Sequence, residues 1–270
     1  MVSLDRCATS VITPDVDPLH GPEPGVSKNQ ATLGMQTFWQ RIEHGTIKPW
    51  LRRMRPYREA TYSGVRVSYK SHLDGGGSTF GQDFIPLLRE RGMPKVQRAF
   101  EWCTGPGFIG FSLLAHGLTE TLCLADVNPE AVAACRRTVA RNGLERSVAV
   151  YLSDNLKDIS ASEQWDLVVS NPPHFVDTSF GQLRYHDPDW SVHRGFFAGI
   201  ARHLKPSGVV VLQENNAGST PDTFIPMIAE AGLKAVFVQN AAQQRTERSH
   251  MFYLGIMRAS DSVPAWAKAS

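Results

Sequence analysis

Glu101-Trp102-Cys103-Thr104-Gly105-Pro106-Gly107 is the stretch on which the fold turns. An apolar run from Arg98 leads into it and Phe108-Ile109-Gly110-Phe111 follows, which reads as strand, glycine loop, helix. Gly105 and Gly107 stand where backbone must pass close to a ligand, because a side chain would block the approach. The next apolar run, Leu122-Cys123-Leu124-Ala125-Asp126, ends on an acid placed to accept both hydroxyls of a ribose. Gly105-Pro106-Gly107-Phe108-Ile109-Gly110 also satisfies dinucleotide spacing, so the glycines alone leave a nicotinamide cofactor open. Glu101 argues against it. A carboxylate at the strand tip repels a pyrophosphate but suits a cationic aminoacyl group or a sulfonium.

Outward from this loop the chain alternates strand and helix, the pattern of a parallel sheet covered on both faces. Strands are predicted over Arg98–Cys103, Thr121–Asp126, Ser147–Leu152, Trp165–Ser170 and Gly208–Glu214, with Lys234–Gln239 and His250–Met257 closing the sheet. Helices are predicted over Gly107–His116, Pro129–Asn142, Ser191–Leu204 and Phe224–Ala231. The second of these carries its own punctuation. Asn128 is a good N-cap, Pro129 suits the first helical position, and Gly143 ends it.

After the strand Trp165–Ser170 comes Asn171-Pro172-Pro173-His174. Its position is the C-terminal sheet edge, where open α/β sheets bind ligands. The prolines fix φ and remove two amide donors, which frees carbonyls to accept. A planar NH2 is a poor nucleophile because its lone pair is delocalised. If the Asn171 oxygen and the Pro172 carbonyl accept its two hydrogens, the nitrogen gains electron density and is oriented for attack. Asn171, Pro172 and His174 are therefore the predicted catalytic residues, with His174 able to stack on a flat group or take a proton. The plain alternative is a structural Pro-Pro turn, which leaves the asparagine unexplained.

Taken together, the loop and the Asn-Pro-Pro-His element resemble the class I S-adenosylmethionine-dependent methyltransferases. The resemblance covers roughly residues 80–258, in the branch that methylates nitrogen through Asn-Pro-Pro followed by an aromatic residue. Cys103 stands where the family's loop has its first glycine, and His174 stands where the branch has Tyr or Phe. The resemblance implies an α/β fold with a mostly parallel seven-stranded sheet, helices on both faces and an N-terminal helical and strand extension. It implies S-adenosyl-L-methionine as cofactor, contacted by Glu101, Cys103, Gly105, Gly107, Asp126, Asp154, Asn155 and Asn171, with Asp154 and Asn155 at the adenine.

The 270 residues are 42% hydrophobic with a net charge of +2, enough for a sizeable core and too balanced for a dedicated nucleic-acid binder. No apolar run is long enough to span a membrane. Cys7, Cys103, Cys123 and Cys135 lack metal-ligand spacing and read as thiols of a reducing cytoplasm; no metal is expected. Asp5, Arg6 and several prolines stand where a secretion signal needs apolar residues. The expected organisation is a flexible arm (1–27), a lid and substrate-recognition region (28–92) with a helix over Asn29–Ile47, the cofactor domain (93–259) and a flexible tail (260–270). The oligomeric state is left open.

For the acceptor, the insertion from Asp177 to Trp190 should roof the pocket. Asp177, Asp187 and Asp189, with Glu214, would make its rim acidic and suit a guanidinium-like group. Asp189 reads equally as the cap of the helix near Ser191, and His193 and Arg194 read as surface residues. The predicted substrate contacts are Phe80, Gln82, Pro173, His174, Asp187 and Glu214, and the favoured acceptor is a small molecule or peptide. A ribosomal RNA base or a protein glutamine is the rival, with the basic, aromatic Lys48–Arg58 segment docking RNA. A non-catalytic cofactor-binding module is the alternative from another class.

Overall fold

Seven strands form the central sheet of this computed structural model, which describes residues 55–177, 185–241 and 251–269. The arm at 1–27, the helix at Asn29–Ile47, most of the Lys48–Arg58 segment and residues 178–184 of the roofing insertion lie outside the described residues.

The described chain opens with a hairpin, β1 (Arg58–Tyr62) and β2 (Val65–Tyr69), paired antiparallel as a separate two-stranded sheet. Ser63 and Gly64 form its turn with φ of 42° and 95°, the double left-handed geometry of a tight hairpin. Two short helices follow, α1 (Gly77–Phe80) and α2 (Phe84–Glu90). The main sheet is built from β3 (Val96–Trp102), β4 (Thr119–Asp126), β5 (Val148–Leu152), β6 (Trp165–Ser170), β7 (Leu204–Asn215), β8 (Leu233–Asn240) and β9 (Met251–Arg258). Its spatial order is β5-β4-β3-β6-β7-β9-β8, and β9 is the one strand that runs antiparallel to the other six. Linking these strands are α3 (Phe108–Ala115), α4 (Pro129–Asn142), α5 (Ser191–Ile200) and α6 (Pro221–Glu230).

Strand alternation divides the core in two. Ala99, Leu122, Leu124, Leu167, Val169, Val209 and Val211 face one side and pack with the hairpin, α2, α3 and α4. Phe100, Trp102, Cys123, Val168, Val210 and Leu212 face the other and pack with Phe196, Phe197 and Ile200 of α5 and Phe224, Met227 and Ile228 of α6. Burial on both faces is why these strands read as continuous apolar runs rather than as alternating ones. The chain runs from β3 outward to β5, then crosses back to β6 on the other side of β3. That reversal opens a crevice beyond the carboxyl ends of β3 and β6.

The expected elements form with shifted ends. Pro129–Asn142 is helical as predicted, with Asn128 accepting from Glu130 N and Gly143 at φ 64°. The strand predicted from Gly208 begins at Leu204, and the helix from Ser191 stops at Ile200 before a 3-10 turn. β1 has no signal in the sequence, since Arg58-Glu59-Ala60-Thr61-Tyr62 lacks a run of β-branched residues. The hairpin is tied to α4: Ser68 N donates to Thr138 Oγ1 at 2.9 Å, and Asn142 exchanges two hydrogen bonds with the Arg66 backbone. The segment after β9, expected as a flexible tail, is fastened down. Arg91 donates to the carbonyls of Trp266 and Lys268 while its guanidinium lies 3.7 Å from the centre of the Phe237 ring, and Ala267 is fully buried.

Candidate functional site

The crevice is a cavity of about 680 Å³ lined from four directions. The loop after β3 supplies Cys103, Thr104, Gly105 and Pro106; the ends of β4 and β5 supply Asp126, Asp154 and Asn155; the end of β6 supplies Asn171 to His174; and Gly75–Phe80 closes the remaining side. A pocket of this size accommodates a nucleoside-sized group together with a flat partner.

Glu101 is a buried helix cap rather than a free wall charge. Its carboxylate accepts from Gly110 N at 2.7 Å and Ile109 N at 3.4 Å in the first turn of α3. Burial pushes its pKa up to about 8, against the opposing pull of those amides. Gly110 is what allows this, because a Cβ there would lie 2.8 Å from Glu101 Oε2 and 2.9 Å from Leu122 and Leu124. Cys103 holds φ at 50°, the left-handed conformation that suits glycine, so the loop path survives the substitution at a cost of about 1 kcal/mol. Gly105 and Gly107 also have positive φ, and nothing lies within 4 Å of a Cβ built on Gly105.

Asp126 stands at the tip of β4 with both oxygens braced. Oδ2 accepts from Gly105 N at 2.7 Å and Oδ1 from Asn128 N at 2.8 Å. Desolvation raises its pKa against the pull of the Asn128, Gly105 and Val127 amides. Asp154 pairs with exposed Lys157 while still lining the cavity. Asn155, at φ 57°, donates to Val192 O at 3.0 Å, and its buried Oδ1 has no partner among the described residues.

At the β6 end, Asn171 Nδ2 donates to Gln213 Oε1 at 2.9 Å, and Gln213 Nε2 donates to the Tyr253 hydroxyl at 2.9 Å. One N–H of the amide is thereby engaged, which fixes the rotation of the amide and leaves the carbonyl oxygen of this cavity-lining residue for a guest. Pro172, Pro173 and His174 continue the same wall. His174 and Phe175 both donate their backbone amides to Tyr185 O, which holds the Asn-Pro-Pro-His turn against the far end of the insertion.

The cavity brings together Phe80, Glu101, Cys103, Gly105, Asp126, Asp154, Asn155, Asn171, Pro172, Pro173 and His174. Gly107 lies one residue behind its wall, packed under Phe111. Three predicted substrate contacts are corrected. Gln82 lies outside the cavity and is hydrogen bonded to His116 at 3.1 Å, because Gly81 turns the chain into α2. Asp187 and Glu214 are fully buried behind the wall instead of forming an acidic rim. Asp187 caps α5, accepting from Val192 N and His193 N, which is the role read for Asp189. His193, read as a surface residue, is fully buried between Asp187 and Glu214 at 2.6 and 3.1 Å. Alternation along β7 explains the error: Gln213 faces the Asn171 side and Glu214 the α5 side. Asp177 and Asp189 are exposed. Tyr185 and His186 of the insertion line the cavity, as do Gln213, Asn215 and Met251, which were not expected there.

The family description of the methyltransferase small domain matches residues 77–248. The release factor glutamine methyltransferase of Koribacter versatilis is 28% identical over 187 residues, 58% of this chain and 66% of that protein. Ribosomal RNA small subunit methyltransferase C of Shewanella sp. strain MR-4 is 30% identical over 179 residues, 65% of this chain and 45% of that protein. The chain thus spans between about half and two thirds of the length of these curated relatives. Among solved structures, the 16S rRNA N2 G1207 methyltransferase of T. thermophilus, in complex with AdoMet and guanosine, superposes with a TM-score of 0.52. It is 14% identical, covers 75% of this chain and 50% of that one, and establishes a shared fold. Among the described residues no helix is long and apolar enough to cross a membrane.

Proposed function

The chain belongs to the methyltransferase small domain family, and from that membership we propose that it transfers a methyl group from S-adenosyl-L-methionine to a planar, uncharged NH2, foremost a protein glutamine amide. The observation that carries this reading is the Asn171–Gln213–Tyr253 chain, which reserves the Asn171 oxygen for the cavity. That oxygen and the Pro172 carbonyl accept the hydrogens of the acceptor nitrogen and direct its lone pair. Both named relatives belong to activities on components of translation, and one acts on a glutamine of a release factor, as its name states.

The residues fit the methyl donor. Asp126, a cavity-lining acid fixed by backbone amides, holds the ribose, and the unpartnered Asn155 Oδ1 and Asp154 offer acceptors beside the adenine. Glu101 and the Cys103–Gly105 loop border the aminoacyl end. When bound, the donor supplies an electrophilic methyl on a sulfonium. The chain's own residues orient the acceptor, exclude water and disperse charge.

An uncharged acceptor is favoured because the expected acidic rim is absent: Asp187 and Glu214 are committed to His193. Among the described residues, neither lysine nor arginine lines the cavity, which favours a protein amide over a phosphate-flanked base. A ribosomal RNA amine is the second reading, on the strength of the 30% identity to the ribosomal RNA enzyme.

The test is to incubate the protein with methyl-labelled donor and, separately, release factors, ribosomal proteins and ribosomal RNA, then digest each with protease or nuclease. Label released as N-methylglutamine supports the first reading, label on a base transfers the assignment to RNA, and label on neither ends both.

A further inference from the structure

His174 and Glu214 present two buried polar atoms to each other. His174 Nδ1 lies 3.8 Å from Glu214 Oε2, and neither atom has a hydrogen-bond partner among the described residues. The gap is less than an ångström beyond a hydrogen bond, a distance that a small side-chain rotation closes. His174 lines the cavity, whereas Glu214 is fully buried behind it.

Charge accounting gives this pair its meaning. His193 Nδ1 is 2.6 Å from Asp187 Oδ2, and its Nε2 is 3.1 Å from Glu214 Oε1. Ionised carboxylates only accept, so both ring nitrogens donate and His193 is an imidazolium. Burial opposes that charge, but the two carboxylates outweigh it and raise the His193 pKa to about 9. Two carboxylates and one imidazolium leave one surplus negative charge in a site sealed from water. A buried surplus charge is costly unless a partner neutralises it. A second imidazolium, at His174, is the partner within reach.

We infer that His174 takes the proton released by the acceptor nitrogen after methyl transfer, and that Glu214, His193 and Asp187 are positioning residues that prepare it to do so. The inference rests on the methyltransferase reading above. Once the nitrogen has formed its bond to the methyl carbon, and the carbon–sulfur bond has broken with its electrons on sulfur, the nitrogen carries one proton more than the product. That proton passes to His174 Nε2, the ring nitrogen other than the one facing Glu214. His174 Nδ1–H then donates to Glu214, the buried charge balances, and the proton leaves to solvent after the product departs. Besides Glu214 of β7, the titratable neighbours of His174 are Tyr185 and His186 on the segment bridged to Phe175, with His193 of α5 and Asp187 one link further away.

Nitrogen-detected NMR of histidine-labelled protein tests this without a methylation assay. Neutral His174 is expected as the Nδ1–H tautomer with a bare Nε2. In Glu214→Gln the Nδ1 resonance of His174 should move, because the carboxylate that its Nδ1–H faces is gone. His174→Gln should lower kcat at unchanged donor affinity. An Nε2–H tautomer in the unmodified protein overturns the inference, as does an Nδ1 resonance left unaltered in Glu214→Gln. Should that variant fail to fold, the tautomer of the unmodified protein decides alone. Failure to find a methyl acceptor would sink the function reading but leave these signals as they are.

Discussion

Asn171 donates its side-chain Nδ2 to the Gln213 carbonyl at 2.9 Å, so the orientation of its side-chain oxygen is fixed by a residue on the neighbouring strand. Gln213 is itself held by the Tyr253 hydroxyl on β9. Three strands therefore aim one amide. A rotated Asn171 would present donors where the proposed reaction needs an acceptor.

Asn171→Ala should leave donor affinity within about twofold while kcat falls by about a hundredfold or more, the range for losing one preorganised polar contact in a transition state. Tyr253→Phe should give a weaker version of the same result, because Gln213 loses its anchor but keeps its place. Calorimetry with S-adenosylhomocysteine and single-turnover rates would measure the two effects separately. Equal donor weakening in both variants would contradict the assigned role.

Gly110→Ala should destabilise the protein by about 1–3 kcal/mol, the usual range for overpacking. The added Cβ meets the Glu101 carboxylate and two leucines of β4 at less than 3 Å. Gly105→Ala meets no atom, so its cost is confined to the backbone at φ 52° and should be smaller. Thermal melts of the two variants should rank in that order.

Stability should decline as pH rises from 6.5 to 9 through His193. Its folded pKa, about 9, exceeds the value of 6.5 for a free histidine, so the folded protein holds a proton that the unfolded chain has released. The stabilisation is complete below pH 6.5 and is lost as pH passes 9. Glu101, raised from 4.5 to about 8, also makes the protein less stable as pH rises, over the window 4.5 to 8. The difference in melting temperature between the unmodified protein and His193→Gln isolates the histidine. It should shrink across 6.5 to 9, and a constant difference would contradict the paired imidazolium.

Arg91→Ala should lower stability by about 1–2 kcal/mol through loss of the hydrogen bonds to Trp266, Gln239 and Lys268 and of the stacking on Phe237. Limited proteolysis should then cut first within residues 259–269. A variant with unchanged cleavage would mean that burial of Ala267 alone secures this segment.

The sheet and its helices were legible in the sequence because apolar runs and helix caps act locally. Val168-Val169-Ser170 suits a strand covered on both faces, and Asn128-Pro129 favours a helix start through the cap and the proline's fixed φ. The glycine loop, Asp126 and Asn171 were legible for a related reason: positions at strand tips follow from the strands themselves. Only the tertiary structure decided which side chains those tips meet. Glu214 and Gln213 are adjacent in sequence, yet alternation sends one behind the wall to His193 and the other to Asn171. Whether a carboxylate faces solvent or an imidazolium depends on strand pairing and helix packing across dozens of residues. No local pattern encodes that choice, because the energy of a charge depends on where its partner lies in space.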